Sequence, residues 1–372
     1  MKIRDFGVES WLNNWEKKAA YDISQSTISS LTMDKLFALC KDDPVPFFKQ
    51  LSGLKMNYGW IEGSPEFKQA VAARYRQVVP QQILQTNGAS GANNLAFYSL
   101  IKPGDHIISE YPSYQQLYDI PQSLGAQVDY WRIRAENQWQ PDLTELAAMI
   151  TPHTKMICLN NANNPTGTLL SRPFLKQVVE LAKKVNAYVL VDEVYHPLVK
   201  TADCASIVDL YSKGIAVDSL SKSWSLPGLR IGWIIADKKT SDVFRKYRDY
   251  TMISAGVLND AIAVYALQHT QQIWLRNQQI VQDNLKIFLD WVQNEPRAQV
   301  VAPKFVSVSC VHLDIPVSTE YFCKELLVCK GGLLVPGERF DLPGYVRLGY
   351  CADRKVLIKG LSLLSEFLRQ YD

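Results

Sequence analysis

The stretch SLSKSWSLPGLRIGW, Ser219 to Trp233, decides how the rest of the chain is read. An apolar run, Ile215-Ala216-Val217, leads into it, and a second, Ile231 to Ala236, leads out. Between these two segments of buried character sit serines 219, 221 and 223, one lysine, Lys222, and one arginine, Arg230. The ordinary reading is an exposed loop that holds one of the chain's 40 basic residues. The chemical reading starts from the amine. A lysine is a poor nucleophile at its reference pKa of about 10.4. Burial and nearby positive charge lower that value, which suits a lysine that bonds covalently to a carbonyl. Serine hydroxyls and an arginine together suit a phosphate, to which the guanidinium offers several donors.

Outward from this loop, short apolar runs alternate with helical patterns. HIIS at 106–109, KMICLN at 155–160, AYVLVD at 187–192, GIAVDS at 214–219 and RIGWIIA at 230–236 read as strands. Ser64-Pro65-Glu66 opens a helix to about Gln77, with serine as N-cap and proline in the first turn. Ser171 opens another through LKQVVELAKK, and Asp142-x-x-Glu145 has the form of a capping box. Apolar strands alternating with helices predict an α/β fold whose mostly parallel central sheet is covered on both faces. Sites in such sheets lie beyond the carboxyl ends of the strands. The last third changes character. One long helix over roughly 258–293 precedes a break at Asn294-Glu295-Pro296, and VSVSCVHLDI at 306–315 alternates like a half-buried strand. Residues 46–257 are therefore expected to form a large domain, and 1–45 with 258–372 a smaller α+β domain.

Composition narrows the function. With 372 residues, 47% hydrophobic and 21% charged, the chain has ordinary soluble globular composition. A net charge of +3 gives no nucleic-acid footprint. No run of about 18 apolar residues suggests a membrane span. The N-terminus, MKIRDFGVESWLNNWEKK, lacks the apolar core of a secretory signal, so a cytoplasmic location is expected. None of the seven cysteines forms a C-x-x-C pair, and Cys158 and Cys310 sit in apolar runs as small hydrophobes. The five histidines have no metal-ligand spacing, so no metal is expected. His196 follows Tyr195, where packing explains it as well as catalysis does. Among the nine tryptophans, Trp11 or Trp15 is a candidate lid over a pocket.

Several post-strand segments carry unusual polar residues. Asn87-Gly88-Ala89-Ser90-Gly91-Ala92 precedes a helix to about Leu100, and small residues there let backbone N–H groups approach an anion. No G-x-x-x-x-G-K-[ST] occurs anywhere, and no G-x-G-x-x-G stands here. Tyr114, in EYPSY, offers an aromatic face after the strand at 106–109. Asn160-Asn161-Ala162-Asn163-Asn164-Pro165-Thr166-Gly167 is dense in amides. Asp192 ends its strand and fits three tasks: binding Mg²⁺, capping the next segment, or holding a cationic ring nitrogen. One cofactor needs all these parts together. Pyridoxal 5′-phosphate requires an amine for its aldehyde, a carboxylate for its pyridinium nitrogen, and a donor for its phenolic oxygen. It also requires an aromatic face and a phosphate cradle.

At these residues the sequence resembles the class I/II aminotransferases of the fold-type I pyridoxal-phosphate enzymes, over about Tyr58 to Arg347. The resemblance implies that Lys222, in S-x-S-K-x(7)-R, bonds to the cofactor. It implies that Ser219, Ser221 and Arg230 lie near the phosphate with Gly88, Ala89 and Ser90, and that Tyr114 stacks on the ring. Asn164, in N-P-T-G, and Tyr195, in D-E-V-Y, would bond the phenolic oxygen, and Asp192 the ring nitrogen. Tyr58, in NYGWIEG, matches a family tyrosine that reaches the phosphate of a neighbouring subunit, which implies a homodimer. Arg347, in YVRLGY, matches the arginine that grips the substrate carboxylate, a task suited to its bidentate geometry.

Two features depart from the family pattern. A glycine-proline pattern that helps close the pocket is replaced by DISQSTISSLTMDKL, and a phosphate-loop position often held by an acid or glutamine is Gly91. The segment GVESWLNNWEKKAAYDIS also resembles the start of capreomycidine synthase, a family member that cyclises its substrate. The expected activity is amino-group transfer between an L-amino acid and a 2-oxo acid, with Lys222 as general base. A lyase or cyclase acting on an amino acid is the alternative, because it would use the same residues. Family lyases that break carbon–sulfur bonds often carry histidine where Asn163 stands, which favours transfer. A transcription regulator with an added DNA-binding domain finds little room in the 57 residues before Tyr58. A catalytically dead scaffold predicts loss of Lys222, Asp192 or Arg347, and all three are present.

Overall fold

The computed structural model describes residues 2–195, 204–304 and 306–371. His196 lies outside the described residues. Seven strands form the main sheet, in the spatial order Ile83–Asn87, Ile231–Ile235, Gly214–Ser219, Tyr188–Asp192, Thr154–Asn160, His106–Tyr111, Gln127–Arg132. Six of them run in one direction, while Ile231–Ile235 runs antiparallel to both neighbours. The period-two alternation of strand side chains divides the apolar runs between two cores. Ile157, Leu159, Val189, Val191 and Ala216 face one core, and Met156, Cys158, Leu190, Ile215 and Val217 face the other. Each fully buried aliphatic side chain contributes roughly 1.5–3 kcal/mol of transfer free energy. That is why these strands are apolar on both faces.

A four-stranded antiparallel sheet, ordered Val335–Pro336, Tyr345–Gly349, Val308–Leu313, Ala298–Val300, belongs to a separate core with Trp11, Phe288, Leu326 and Leu364. A short parallel pair, Tyr21–Asp22 with Gly332–Leu333, ties the N-terminal segment to this part. From there Gly349 N–H donates to Ile23 O at 2.8 Å, which carries the chain toward residues 24–27.

The structure corrects several sequence expectations. Ser64 caps its helix by accepting from Phe67 N–H, but the helix stops at Ala72 and not near Gln77. The N–H groups of Arg76 and Gln77 donate to the Asp209 carboxylate instead of extending the helix. Asp142 caps through Thr144 N–H at 2.7 Å, yet Glu145 pairs with Arg134 instead of closing a capping box. The long C-terminal helix is two, Val257–Gln268 and Thr270–Asn294, parted at His269. The break lets Ala263, Ala266 and Leu267 pack against the large sheet while Val281 and Phe288 enter the other core. Strand Val308–Leu313 is covered on both faces rather than half-buried. Trp11 is no lid: it is 2% exposed, and its Nε1 donates to Leu334 O at 2.9 Å. Among the described residues, no helix is long and apolar enough to cross a membrane.

Candidate active site

A cavity of about 520 Å³ opens where the parallel strands end. Lys222 follows Gly214–Ser219, and Asp192 is the last residue of Tyr188–Asp192. Arg230 precedes its strand, yet reaches the same edge because that strand runs the other way. The cavity is lined by Ala89, Ser90, Tyr114, Asn164, Asp192 and Tyr195, and by Ser219, Ser221, Lys222, Arg230 and Arg347. Gly88 sits just behind this lining, at the start of helix Gly88–Leu100. Tyr58 does not reach the cavity of its own chain; it is 68% exposed beside a second hollow with Trp60 and Val257.

At one end of the cavity a helix N-terminus meets Arg230. The first N–H groups of a helix have no partners within the helix and carry the positive end of its dipole. Gly88 takes φ +66°, and a Cβ added there would lie 2.6 Å from Arg230 Nη2. Gly232, on the strand behind, makes the close approach possible: its added Cβ would lie 2.5 Å from Gly88 C and 2.7 Å from Ala89 N. Alanine at 232 must push this backbone aside, at a cost of roughly 1–3 kcal/mol. We expect Gly232→Ala to lower the thermal midpoint and to weaken binding of inorganic phosphate about tenfold, read by calorimetric titration. Unchanged phosphate affinity would show that the Gly88–Ser90 turn is not the cradle.

The middle of the cavity holds the two titratable groups. Asp192 is 2% exposed; its Oδ2 accepts from Asn93 Nδ2 at 2.8 Å and its Oδ1 from Val194 N–H at 3.3 Å. Burial pushes its carboxyl up to about 6, against the pull of those two donors and of Lys222. Lys222 Nζ donates to Ser26 Oγ at 2.7 Å, with Thr27 Oγ1 at 3.4 Å. Burial, then the positive charges of Arg347 and Arg230, bring its amine down to about 8. Near neutral pH this cavity therefore holds a carboxylate and an amine that readily gives up its proton. Tyr195, pushed up to about 12 by burial, directs its hydroxyl at Ser26 O, 3.5 Å away. Tyr114 lies with its hydroxyl 3.3 Å from Ser90 Oγ and its ring against Phe6.

At the other end lies a buried guanidinium, that of Arg347. Arg347 is 2% exposed. Its Nη1 donates to Asn164 Oδ1 at 3.2 Å and its Nη2 to Ser24 O at 2.9 Å, while Nε is buried without a partner. The amide-rich loop is braced by its own side chains. Asn160 Oδ1 accepts from Asn164 N–H, Asn161 Oδ1 from Leu170 N–H, and Asn163 Oδ1 from Thr166 N–H. Three asparagines thus hold the loop so that Asn164 faces the cavity.

Sequence motifs alone do not reveal Ser26 and Thr27, Asn93, Gly232, Glu9 of the first helix, Gly7–Trp15, or Glu16 just after it. Asn93 lies six residues beyond Asn87, inside helix Gly88–Leu100, and no motif marks it. Ser26 and Thr27 lie in the segment that departs from the family pattern, which was the available signal.

These residues fit pyridoxal phosphate. A helix N-terminus with Arg230 suits its phosphate, a buried carboxylate suits its ring nitrogen, and a lowered amine suits its aldehyde. Fold and cavity together define an aminotransferase-fold enzyme that depends on pyridoxal phosphate. The family pattern described as "Aminotransferase class I and II" matches residues 43–359, and the chain belongs to that family. A solved PLP-dependent aminotransferase from Streptococcus suis 89-1591 is similar at a TM-score of 0.98 and 55% identity, covering 100% of this chain and 99% of that one. The solved PLP-dependent cyclase OrfR is similar at a TM-score of 0.92 and 25% identity, covering 100% and 99%. Capreomycidine synthase of Streptomyces vinaceus is 29% identical, across 97% of this chain and 93% of its own length. The resemblance noted in the N-terminal segment thus extends over nearly the whole chain.

Proposed function

We propose that this enzyme moves an amino group between an L-amino acid and a 2-oxo acid. The observation that supports this reading is the 55% identity, over nearly the whole of both chains, to a solved PLP-dependent aminotransferase, with Lys222, its amine brought down to about 8, in one cavity with the buried carboxylate of Asp192. When bound, pyridoxal phosphate supplies an electron-withdrawing ring that makes the substrate α-proton removable. The chain supplies the rest. Arg230, Ser219, Ser221 and the amides of Gly88, Ala89 and Ser90 would hold the phosphate. Tyr114 would cover one ring face, and Asn164 and Tyr195 would bond the phenolic oxygen. Asp192 would keep the proton on the ring nitrogen. Arg347, with its free Nε and its Asn164 contact, would hold the substrate carboxylate. Lys222 Nζ would bond the cofactor between turnovers and carry the proton from the substrate α-carbon during them.

We further propose a homodimer in which Tyr58 of the partner subunit completes the phosphate end. Exposed Val45, Phe48, Met56, Trp60 and Ile61 in the same stretch suit burial against a second copy. Buried free thiols at Cys158, Cys310, Cys323 and Cys351 suit a reducing compartment such as the cytoplasm.

Covalent uptake of the cofactor is expected to accelerate as pH rises through about 8. An ammonium cannot bond the aldehyde, and Lys222 is half deprotonated there rather than at its ordinary 10.5. Stopped-flow absorbance on the cofactor-free protein checks this; a rate still climbing steeply between pH 9 and 10.5 would contradict it.

The test of function is a single-turnover assay. Amino acids are added to the cofactor-saturated enzyme without an acceptor. Transfer predicts the amine form of the cofactor and one 2-oxo acid per site, with no ammonia released. The similarity to capreomycidine synthase and OrfR favours cyclisation as the second reading. Cyclisation, or elimination, would leave the aldehyde form in place and give a ring product, or ammonia with a 2-oxo acid.

A further inference from the structure

The N-terminal segment that departs from the family pattern reaches the amine at the centre of the proposed chemistry. Lys222 Nζ donates to Ser26 Oγ at 2.7 Å, with Thr27 Oγ1 at 3.4 Å, and all three residues line the cavity. Neither hydroxyl has a part in the reaction described above.

The backbone that carries these hydroxyls is pinned on both sides of them. Ile23 O accepts from Gly349 N–H at 2.8 Å, and Ser24 O from Arg347 Nη2 at 2.9 Å. Ser26 O accepts from Ser307 Oγ and from the Tyr195 hydroxyl, the latter at 3.5 Å. Beyond them, Ser29 N–H donates to Cys351 O at 2.8 Å, and Leu31 N–H to Ser225 O at 3.0 Å. The Gln25 carbonyl stands where a side chain at position 349 would begin, so only glycine admits the segment there. A hydroxyl on backbone so constrained has its place set in advance, which is the condition for directing a reacting group. The same segment spaces two tasks. Its Ser24 carbonyl fixes the guanidinium assigned to the substrate carboxylate, and two residues on, its Ser26 hydroxyl meets the amine.

The geometry of the amine gives this contact its meaning. An ammonium has three N–H donors; a neutral amine has two N–H bonds and one lone pair. The two hydroxyls take two of these three positions as acceptors. The third is the lone pair in the neutral form and a transferable proton in the charged form. We propose that Ser26, assisted by Thr27, is the positioning residue for Lys222: whenever the amine is not bonded to the cofactor, the two hydroxyls hold it with its third position open to the proton in transit. The lone pair then takes the substrate α-proton, whose bonding electrons stay behind with the carbon, and the ammonium so formed gives that proton up again. This rests on the reading of Lys222 as the amine that bonds the cofactor and carries the proton. Without the hydroxyl, the long lysine side chain regains rotamer freedom and spends less time in the productive position.

The first measurement needs no turnover. Trace labelling of the cofactor-free protein with acetic anhydride at a series of pH values, read by peptide mapping, gives the midpoint at which Lys222 becomes reactive. An acceptor favours the charged form, so Ser26→Ala should bring this midpoint down by about one pH unit, the scale of one hydrogen bond to a charged group. The charged and titratable groups around the amine, Arg347, Arg230, Asp192, Glu9, Tyr114 and Tyr195, are the same in both proteins. The second measurement follows exchange of the substrate α-proton into deuterium oxide on the cofactor-saturated enzyme, by NMR. Ser26→Ala should exchange about tenfold more slowly. Its half-saturating substrate concentration should not change, because the Ser24 carbonyl that holds Arg347 is kept. Ser26→Cys offers a weaker acceptor at nearly the same size, so it should fall between, and it decides the matter if the alanine variant melts early. An unchanged midpoint with an unchanged exchange rate would overturn the proposal. So would a defect seen only as a higher half-saturating concentration. If borohydride fixes the cofactor on Lys222 while both variants behave as the unaltered chain, only the positioning role falls. If the label lies on another lysine, the reading of the cavity falls with it.

Discussion

Alanine in place of Lys222 is expected to lower kcat by about 10³-fold or more, with the fold intact. A positioned general base alone accounts for about 10²–10⁴-fold, and this residue is also assigned the covalent anchor. The structural cost should be small. The amine touches only the hydroxyls of Ser26 and Thr27, both of which stand at the cavity wall. The variant should still take up pyridoxal phosphate, through Arg230 and the Gly88–Ser90 turn. It should do so without the absorbance change that accompanies covalent attachment. A variant that keeps more than a tenth of the original kcat would remove Lys222 from the chemistry. A variant that merely melts early would point to a structural role.

Asp192→Asn is expected to lower kcat by about 10²–10³-fold, the scale seen when one preorganised electrostatic partner is removed from a reacting centre. Its buried carboxyl is pushed up to about 6, so the group is charged at neutral pH and can hold a protonated ring nitrogen. Asparagine keeps the shape and loses the charge. Activity of the unaltered enzyme should therefore fall on the acid side as Asp192 takes up its proton. A cationic ring bound beside Asp192 would favour the carboxylate and move that limb below pH 6. The variant should lack the limb. Stability of the cofactor-free protein gives a second readout. Its folded carboxyl binds a proton more tightly than the unfolded one, so its contribution is present below about 3.8 and is lost as pH rises to about 6. In Asp192→Asn this part of the pH dependence should vanish. A variant with unchanged kcat and an unchanged acid limb would place the charge elsewhere.

Much of this architecture was legible because burial on both faces leaves little choice of residue. The runs KMICLN, AYVLVD and GIAVDS could hardly be anything but central strands, and a polar residue at their ends stood out against them. Lys222 and Asp192 were readable for that reason. Arg230 was legible as a partner of Lys222, but its place at the same edge depends on an antiparallel strand, which a run of apolar residues does not announce. Gly232 sits inside that strand, and its role is the absence of a side chain opposite Gly88, a contact between segments far apart in sequence. Ser26 and Thr27 reach Lys222 only because a two-residue parallel pair and Gly349 steer the N-terminal segment over the cavity. The break at His269 was hidden because no proline or glycine marks it, and what divides the helices is the separation of two cores. The tryptophans of the first helix drew attention by their size, yet the neighbouring glutamates and Leu12 face the cavity. Helical spacing, not residue type, decided that.

The chemistry proposed for this cavity requires the amine at position 222 to be the atom that bonds the cofactor. Cofactor-saturated protein treated with borohydride and then digested should yield the pyridoxyl group on the peptide that contains Lys222, in a ratio near one per chain. A map with that peptide unmodified, or with the label on another lysine, would contradict the account.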